Sequence, residues 1–477
     1  MRTYLHRVLT PACLLIALTA PLAAQEKPQG SFSWAMQPKD LGTVAAPAVE
    51  LDESWRPGPY GISYRAVPTF SGDPTVEVIF PPVVSGHPTS YERALVQFPA
   101  SFLERGQRER AVAIGFHSFG VSEKDIFLNS QLPWECKRRG WMLIAPYGLS
   151  DTNFANPAAQ ESLETLLRVI YQVVPFNYRR IYTVGFSMGG LSAMSFAMRH
   201  QDPLGVRVAG VVSHTGPVDL VRQHADGALN MQLLLEQKWH FAGSPDFNPF
   251  AYDRVSPARF DESGSIDPER APVVNLHDVR VFLHANLADP NTQLLQDSLD
   301  LKEFLMTRGA RVQEHLTTDP VFGHDWRTLP LRDALDFVAT STQDEIPLTA
   351  EVFVDRPTGH GATEVRELPW DTHARYRVEV APEDLGANSF RLDKTRNLIE
   401  VAVRTEMLGL DPTAPLVFQV ESADGTGDTI VLTGYELPPR SVRSSTVALP
   451  WTWDMNPREL RIETPDDGSA VTVEVQP

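Results

Sequence analysis

Between residues 91 and 340 the chain alternates short apolar runs with amphipathic stretches. The runs at 93–99, 111–117, 141–146, 180–184, 208–214, 279–284 and 312–316 are almost continuously apolar. Runs of that kind predict strands buried on both faces. The stretches at 124–139, 158–173, 191–200, 292–308 and 331–339 have helical spacing. Leu163, Leu166, Leu167 and Ile170, for instance, fall on one face. This alternation predicts an α/β fold, a parallel sheet covered by helices on both faces. Residues 222–272 break it with a loop rich in Pro, Asp and Ser, read as a lid-like insertion above the strand ends, where open α/β sheets bind ligands. Residues 25–90, Pro- and Gly-rich in their first fifty, read as an extension wrapped around the main domain.

From 348 to 477 the pattern changes. Short runs at 351–354, 374–380, 398–403, 416–420, 429–432 and 471–475 lie between turn signals, with no long helical stretch. They predict a C-terminal all-β, sandwich-like domain. Such a module could bind a polymer or pack against its neighbour, and packing is the reading adopted.

Composition narrows the class. The chain carries 42 basic and 60 acidic residues, a formal net charge of −18, which disfavours nucleic acid as a partner. The first 24 residues read as an export signal: Arg2 and Arg7, an apolar stretch over 12–20, then small residues ending at Ala24. That stretch is shorter than the ~20 apolar residues that span a bilayer, so no membrane anchor is expected. Cys13 lies near its start, not at its end, so no lipid anchor is expected either. The mature protein is expected to be secreted or periplasmic, cleaved after about Ala24. It would keep only Cys136, too few thiols for an internal disulfide, and that thiol reads as structural.

The chemistry is carried by Gly185-Phe186-Ser187-Met188-Gly189-Gly190, between a buried-strand run and a helical run. That is the setting of a nucleophile elbow, which holds a serine hydroxyl at a sharp strand-to-helix turn. The hydroxyl needs a base, and the base needs an acid to orient it. His324, in Gly323-His324-Asp325-Trp326, follows a strand and precedes a helix. Asp289 follows the strand ending at His284, with room for one helix and one strand before His324. Asp219, after the strand ending at His214, is the rival acid. His214 and His284 read as core or pocket-floor residues, and His117 as a structural hydrogen-bonder. The turn Phe116-His117-Ser118-Phe119-Gly120 can supply one oxyanion donor, from Ser118 or Phe119, and the N–H of Met188 the other. No group of His, Cys and acidic residues has metal-ligand spacing and no Gly-rich phosphate loop is present, so neither metal nor cofactor is expected.

On these motifs, and on Asp151-Thr152-Asn153-Phe154, residues 91–340 resemble the α/β-hydrolase superfamily. More narrowly they resemble its secreted esterase branch of feruloyl and acetylxylan esterases and polyhydroxybutyrate depolymerases, related to the catalytic domain of prolyl oligopeptidases. Ser118 and Phe119 depart from the usual His-Gly-Gly oxyanion form of that branch. The resemblance implies a serine carboxylic ester hydrolase acting on an ester substrate, possibly polymer-linked. A serine peptidase and a non-catalytic binding protein on the same fold are the alternatives.

Overall fold

The computed structural model describes residues 54–58, 61–68, 71–80, 91–343, 346–444, 446–465 and 469–477. The export signal expected over 1–24 lies outside them. Among the described residues no helix is long and apolar enough to cross a membrane.

A ten-stranded sheet organises the first part. Its strands are β1 (Arg56–Pro57), β2 (Ser63–Val67), β3 (Thr75–Phe80), β4 (Glu92–Gln97), β5 (Val112–Phe116), β6 (Met142–Pro146), β7 (Ile181–Phe186), β8 (Val208–His214), β9 (Arg280–Asn286) and β10 (Val312–Thr317). Their spatial order is β1-β2-β3-β4-β6-β5-β7-β8-β9-β10. The neighbours from β6 to β10 are parallel. The first four strands, and β4 against β6, are antiparallel. The stretch read as a wrapped extension therefore contributes β1–β3 to the sheet. β1 and β2, largely exposed or half-buried, join the edge through antiparallel backbone pairing, while β3 is paired on both sides and buried throughout.

Each face of the sheet is covered. Leu163, Leu166, Leu167 and Ile170 of the helix Pro157–Val173 join Ala193, Met194 and Phe196 of the helix Met188–Arg199 in one apolar cluster. Leu132 and Cys136 of the helix Leu132–Arg139 pack with Leu331, Leu335 and Val338 of the helix Leu331–Ala339 in another. Burial pushes the Cys136 thiol up, so it stays protonated and packs as an apolar group. The single helix expected over 124–139 is two, Asp125–Asn129 and Leu132–Arg139. The Ser130 hydroxyl accepts the Leu132 N–H at the break, and Pro133 opens the second helix.

The chain runs from β5 outward to β6 and returns on the other side of β5 as β7. That reversal makes the carboxyl ends of β5 and β7 a topological switch point, where such sheets leave a crevice.

The C-terminal part is all β: two six-stranded sheets enclosing one core. Tyr376, Phe390 and Phe418 from one sheet meet Val401, Ile430 and Leu460 from the other. Six strands not anticipated from the pattern complete the sheets: Thr358–His360, Thr363–Glu367, Ser389–Arg396, Ser441–Ser444, Trp451–Asp454 and Glu459–Glu463. In Glu459–Glu463, antiparallel on both sides, apolar positions alternate with charges, while Ser389–Arg396 is antiparallel to Ala374–Val380 and parallel to Leu416–Ser422. This part docks on the first through Asp355, which bonds Arg199 at 2.9 Å and Arg254 at 2.7 Å. Burial pushes the Asp355 carboxyl up, but Arg199, Arg254 and Arg356 outweigh it and hold it far below the usual range.

Candidate active site

Ser187 sits between β7 and the helix Met188–Arg199, with φ +56° and ψ −125°. Few non-glycine residues hold a positive φ, and it persists only where the surroundings impose it. Here they do. A Cβ on Gly185 would lie 1.8 Å from the Gly189 carbonyl oxygen, and one on Gly189 would lie 2.2 Å from the Phe116 carbonyl oxygen. Only glycines allow the turn to close this tightly against β5. The Ser187 N–H donates to the His214 carbonyl at 2.9 Å, anchoring the elbow to β8.

Two loops converge on the hydroxyl. His324 Nε2 lies 2.9 Å from Ser187 Oγ, and His324 Nδ1 lies 2.6 Å from Asp289 Oδ2. A carboxylate only accepts, so Nδ1 carries the proton and Nε2 faces Ser187 with its lone pair. The other carboxylate oxygen of Asp289 accepts the backbone N–H of Asn291 at 2.8 Å and its side-chain amide at 3.2 Å. Burial pushes the Asp289 carboxyl up, but the bonds from His324 and Asn291 outweigh it and hold it below the usual range. Asp289 stays ionised beside the imidazole.

Asp219 is placed differently. It accepts the N–H groups of Val221 and Arg222 at the start of the helix Leu220–Asp226, and it pairs with Arg259 at 2.9 Å. It also accepts the Phe260 N–H at 2.9 Å. Its oxygens are taken up by holding residues 219–260 together.

The turn after β5 faces the elbow. The Ser118 N–H and hydroxyl both approach Asp125 Oδ2, at 3.4 and 3.1 Å. The same oxygen accepts the Trp326 indole N–H at 3.0 Å, so buried Asp125 ties this turn to the segment carrying His324. The N–H groups of Phe119 and Met188 have no acceptor among the described residues. The His117 ring bridges the carbonyls of Ser118 and Tyr147, each at 2.8 Å. The Phe119 ring is partly exposed and 5.7 Å from that of Phe154.

Residues 222–272 fold into short helices, among them Leu229–Leu235 and Pro249–Asp253. Leu235, Phe241 and Tyr252 from this stretch pack with Phe154, Met188 and Leu191. The apolar wall beside Ser187 is therefore built partly from this stretch.

Sequence reasoning missed Asp125 and Asn286. Asn286 closes β9 and donates to the carbonyls of Asp319 and Gly323, both at 2.8 Å, while accepting the Asp319 N–H. It fastens the loop that precedes His324 to the strand that precedes Asp289. A polar amide at the end of an apolar strand was the available signal. Among the described residues no group of three or more His, Cys, Asp or Glu side chains could hold a metal ion.

No family model matches the chain, and no curated protein matches it. Several solved structures do. One is the substrate-bound fluorophosphonate-binding serine hydrolase F of Staphylococcus aureus, at 14% identity over 56% of this chain and 98% of that one, with a TM-score of 0.39. An S-formylglutathione hydrolase from Agrobacterium tumefaciens matches at 14% over 57% of this chain and 97% of that one, TM-score 0.40. A ferulic acid esterase matches at 16% over 56% of this chain and 97% of that one, TM-score 0.41. Over little more than half its length, the chain is similar to solved structures of serine hydrolases and esterases.

Proposed function

We propose that the chain is a serine hydrolase that cleaves carboxylic esters through Ser187, His324 and Asp289. The observation that carries the reading is the unbroken hydrogen-bonded line from Asp289 through His324 to Ser187. It ends on a hydroxyl held in a strained turn. Ester hydrolysis needs a nucleophile, a base in the right tautomer and a group that stabilises the base once protonated.

In this reading His324 Nε2 takes the hydroxyl proton as Ser187 Oγ attacks the ester carbonyl. The N–H groups of Met188 and Phe119 receive the oxyanion, the Ser118 N–H being engaged with Asp125. His324 returns the proton to the departing alcohol, leaving Ser187 acylated. Water then attacks the acyl carbon and gives its proton to His324. Collapse of the second intermediate frees the acid and returns the proton to Ser187. The export signal read over 1–24 would place this activity outside the cytoplasm.

A fluorophosphonate probe should attach to Ser187 of the wild type, read by peptide mass spectrometry. It should not attach to the Ser187→Ala variant, which should also lose hydrolysis of p-nitrophenyl butyrate. A wild type that neither labels nor turns over a panel of p-nitrophenyl esters refutes the reading. Faster cleavage of an aminoacyl anilide than of esters replaces the esterase assignment with a peptidase.

A further inference from the structure

The elbow and the segment carrying His324 are held together by a buried pair of histidines that take no part in the chemistry. His214 closes β8 and His284 lies opposite it on β9, in register with Phe186 on one side and His315 on the other. Both rings are fully buried. His214 touches the site twice. Its backbone carbonyl accepts the Ser187 N–H at 2.9 Å, and its ring Nε2 lies 3.0 Å from the carbonyl of Asp325, the residue after His324. The Phe186 ring fills the space between, 4.7 Å from the His214 ring and 4.5 Å from that of His324.

The protons on this pair follow from the acceptors around it. A carbonyl only accepts, so Nε2 of His214 carries a hydrogen and donates it to Asp325. Its neutral ring then offers only a lone pair at Nδ1. That atom lies 2.9 Å from His284 Nδ1, so the hydrogen between them belongs to His284. His284 Nε2 is left as an acceptor, 3.2 Å from the Thr317 hydroxyl. Thr215 Oγ1 flanks His214 Nδ1 at 3.0 Å, and Thr328 Oγ1 stands 3.0 Å from His214 Nε2 and donates to the same Asp325 carbonyl. Burial lowers both imidazoles and keeps them neutral, His214 to about 4 and His284 to about 2. A second proton on His214 would sit at Nδ1 and set two N–H groups against each other across the shared contact, whereas one on His284 would sit at Nε2, facing the Thr317 hydroxyl.

We propose that His214, oriented by His284, is a positioning residue that fixes the His324 segment against the Ser187 elbow. The inference rests on the hydrolase reading above. His214 contributes no proton to the reaction. Its backbone sets the height of Ser187, and its ring N–H sets the place of the chain just after the base. A shift of about 1 Å between reacting groups costs on the order of a hundredfold in rate, so such a tether bears on kcat while leaving substrate binding alone.

The test pairs two substitutions with one spectroscopic measurement. His214→Leu removes the N–H and should lower kcat tenfold to a hundredfold with KM within about twofold. His214→Gln can place an amide N–H near the former Nε2 and should recover kcat to within severalfold of wild type. Two-bond ¹H–¹⁵N spectra of histidine-labelled wild type should show His214 protonated at Nε2 and His284 at Nδ1. A folded His214→Leu variant with wild-type kcat overturns the proposal. So does a His214 ring protonated at Nδ1, a result that stands even where the Leu variant fails to fold. A wild type that does not label with fluorophosphonate overturns the hydrolase reading itself. A labelling wild type beside an unimpaired Leu variant overturns only the positioning role.

Discussion

Replacing Asp289 with Asn tests the proposed base through its tautomer. The carboxylate takes the His324 Nδ1–H on one oxygen and two donors from Asn291 on the other. An amide offers one acceptor and one donor end, so it must choose. With its oxygen kept toward Asn291, its NH₂ faces His324 and forces Nδ1 to accept. The imidazole hydrogen then moves to Nε2, pointing at the Ser187 hydroxyl, and no base is left. The flipped amide restores the tautomer but sets its NH₂ against the two Asn291 donors. Asn291 is exposed and its donors can turn to water, but the flipped NH₂ at buried position 289 is left without an acceptor, which costs about 1–3 kcal/mol. At 1.36 kcal/mol per factor of ten, that holds the competent orientation to a small fraction of molecules. The residual competent form also lacks the negative charge that stabilises imidazolium. The expected fall in kcat is on the order of 10⁴, roughly 5 kcal/mol, with KM little changed. Stopped-flow hydrolysis of p-nitrophenyl butyrate at saturating substrate measures it. Asp219→Asn is the control: it should weaken the fold, because Asp219 caps a helix and pairs with Arg259, yet leave kcat within severalfold. A loss under tenfold for Asp289→Asn, or a larger loss for Asp219→Asn, refutes the assignment of the acid.

Two further predictions concern stability. Burial pushes the Glu92 carboxyl on β4 up to about 8, against bonds it accepts from Arg93 and Gly148. Between about pH 4.5 and 8 the folded chain thus holds a proton that the unfolded chain has lost, so this group makes stability fall as pH rises, by up to about 1.4 kcal/mol per pH unit. Glu92→Gln should therefore gain on the wild type in urea unfolding between pH 5 and pH 8.5, and a stability difference that stays constant with pH would rule this out. Asp355→Ala strips the buried partner from Arg199 and Arg254 where the C-terminal part docks, and should cost about 3–5 kcal/mol. An unchanged melting temperature would show that the docking does not depend on that cluster.

Local pattern alone located the elbow. A continuous apolar run, a serine between glycines and a helical run fix a strand–turn–helix, because each signal acts within a few residues. Asp289 and His324 were legible as residues following strands, and so was Asp219. The choice between the two acids is a matter of contacts. Arg259, forty positions from Asp219, occupies that carboxylate, while the loop held by Asn286 brings His324 to Asp289. The same holds at the oxyanion turn, where Ser118 and Phe119 look alike in sequence until Asp125 engages the Ser118 N–H. Strands β1–β3 escaped notice because they are short and antiparallel, outside the alternation of apolar and helical runs that marks the parallel strands, although β3 is paired on both sides and fully buried. The His214–His284 contact is invisible from the sequence for a sharper reason. It joins residues 70 positions apart, and it exists only because β8 and β9 pair in one register. A slip of one residue would turn every side chain to the opposite face. The sequence by itself determined which short segments are strands, helices and turns, since those preferences are local. Which carboxylate meets His324, which backbone N–H Asp125 engages and which imidazoles touch was decided only when the sheet set distant strand ends side by side.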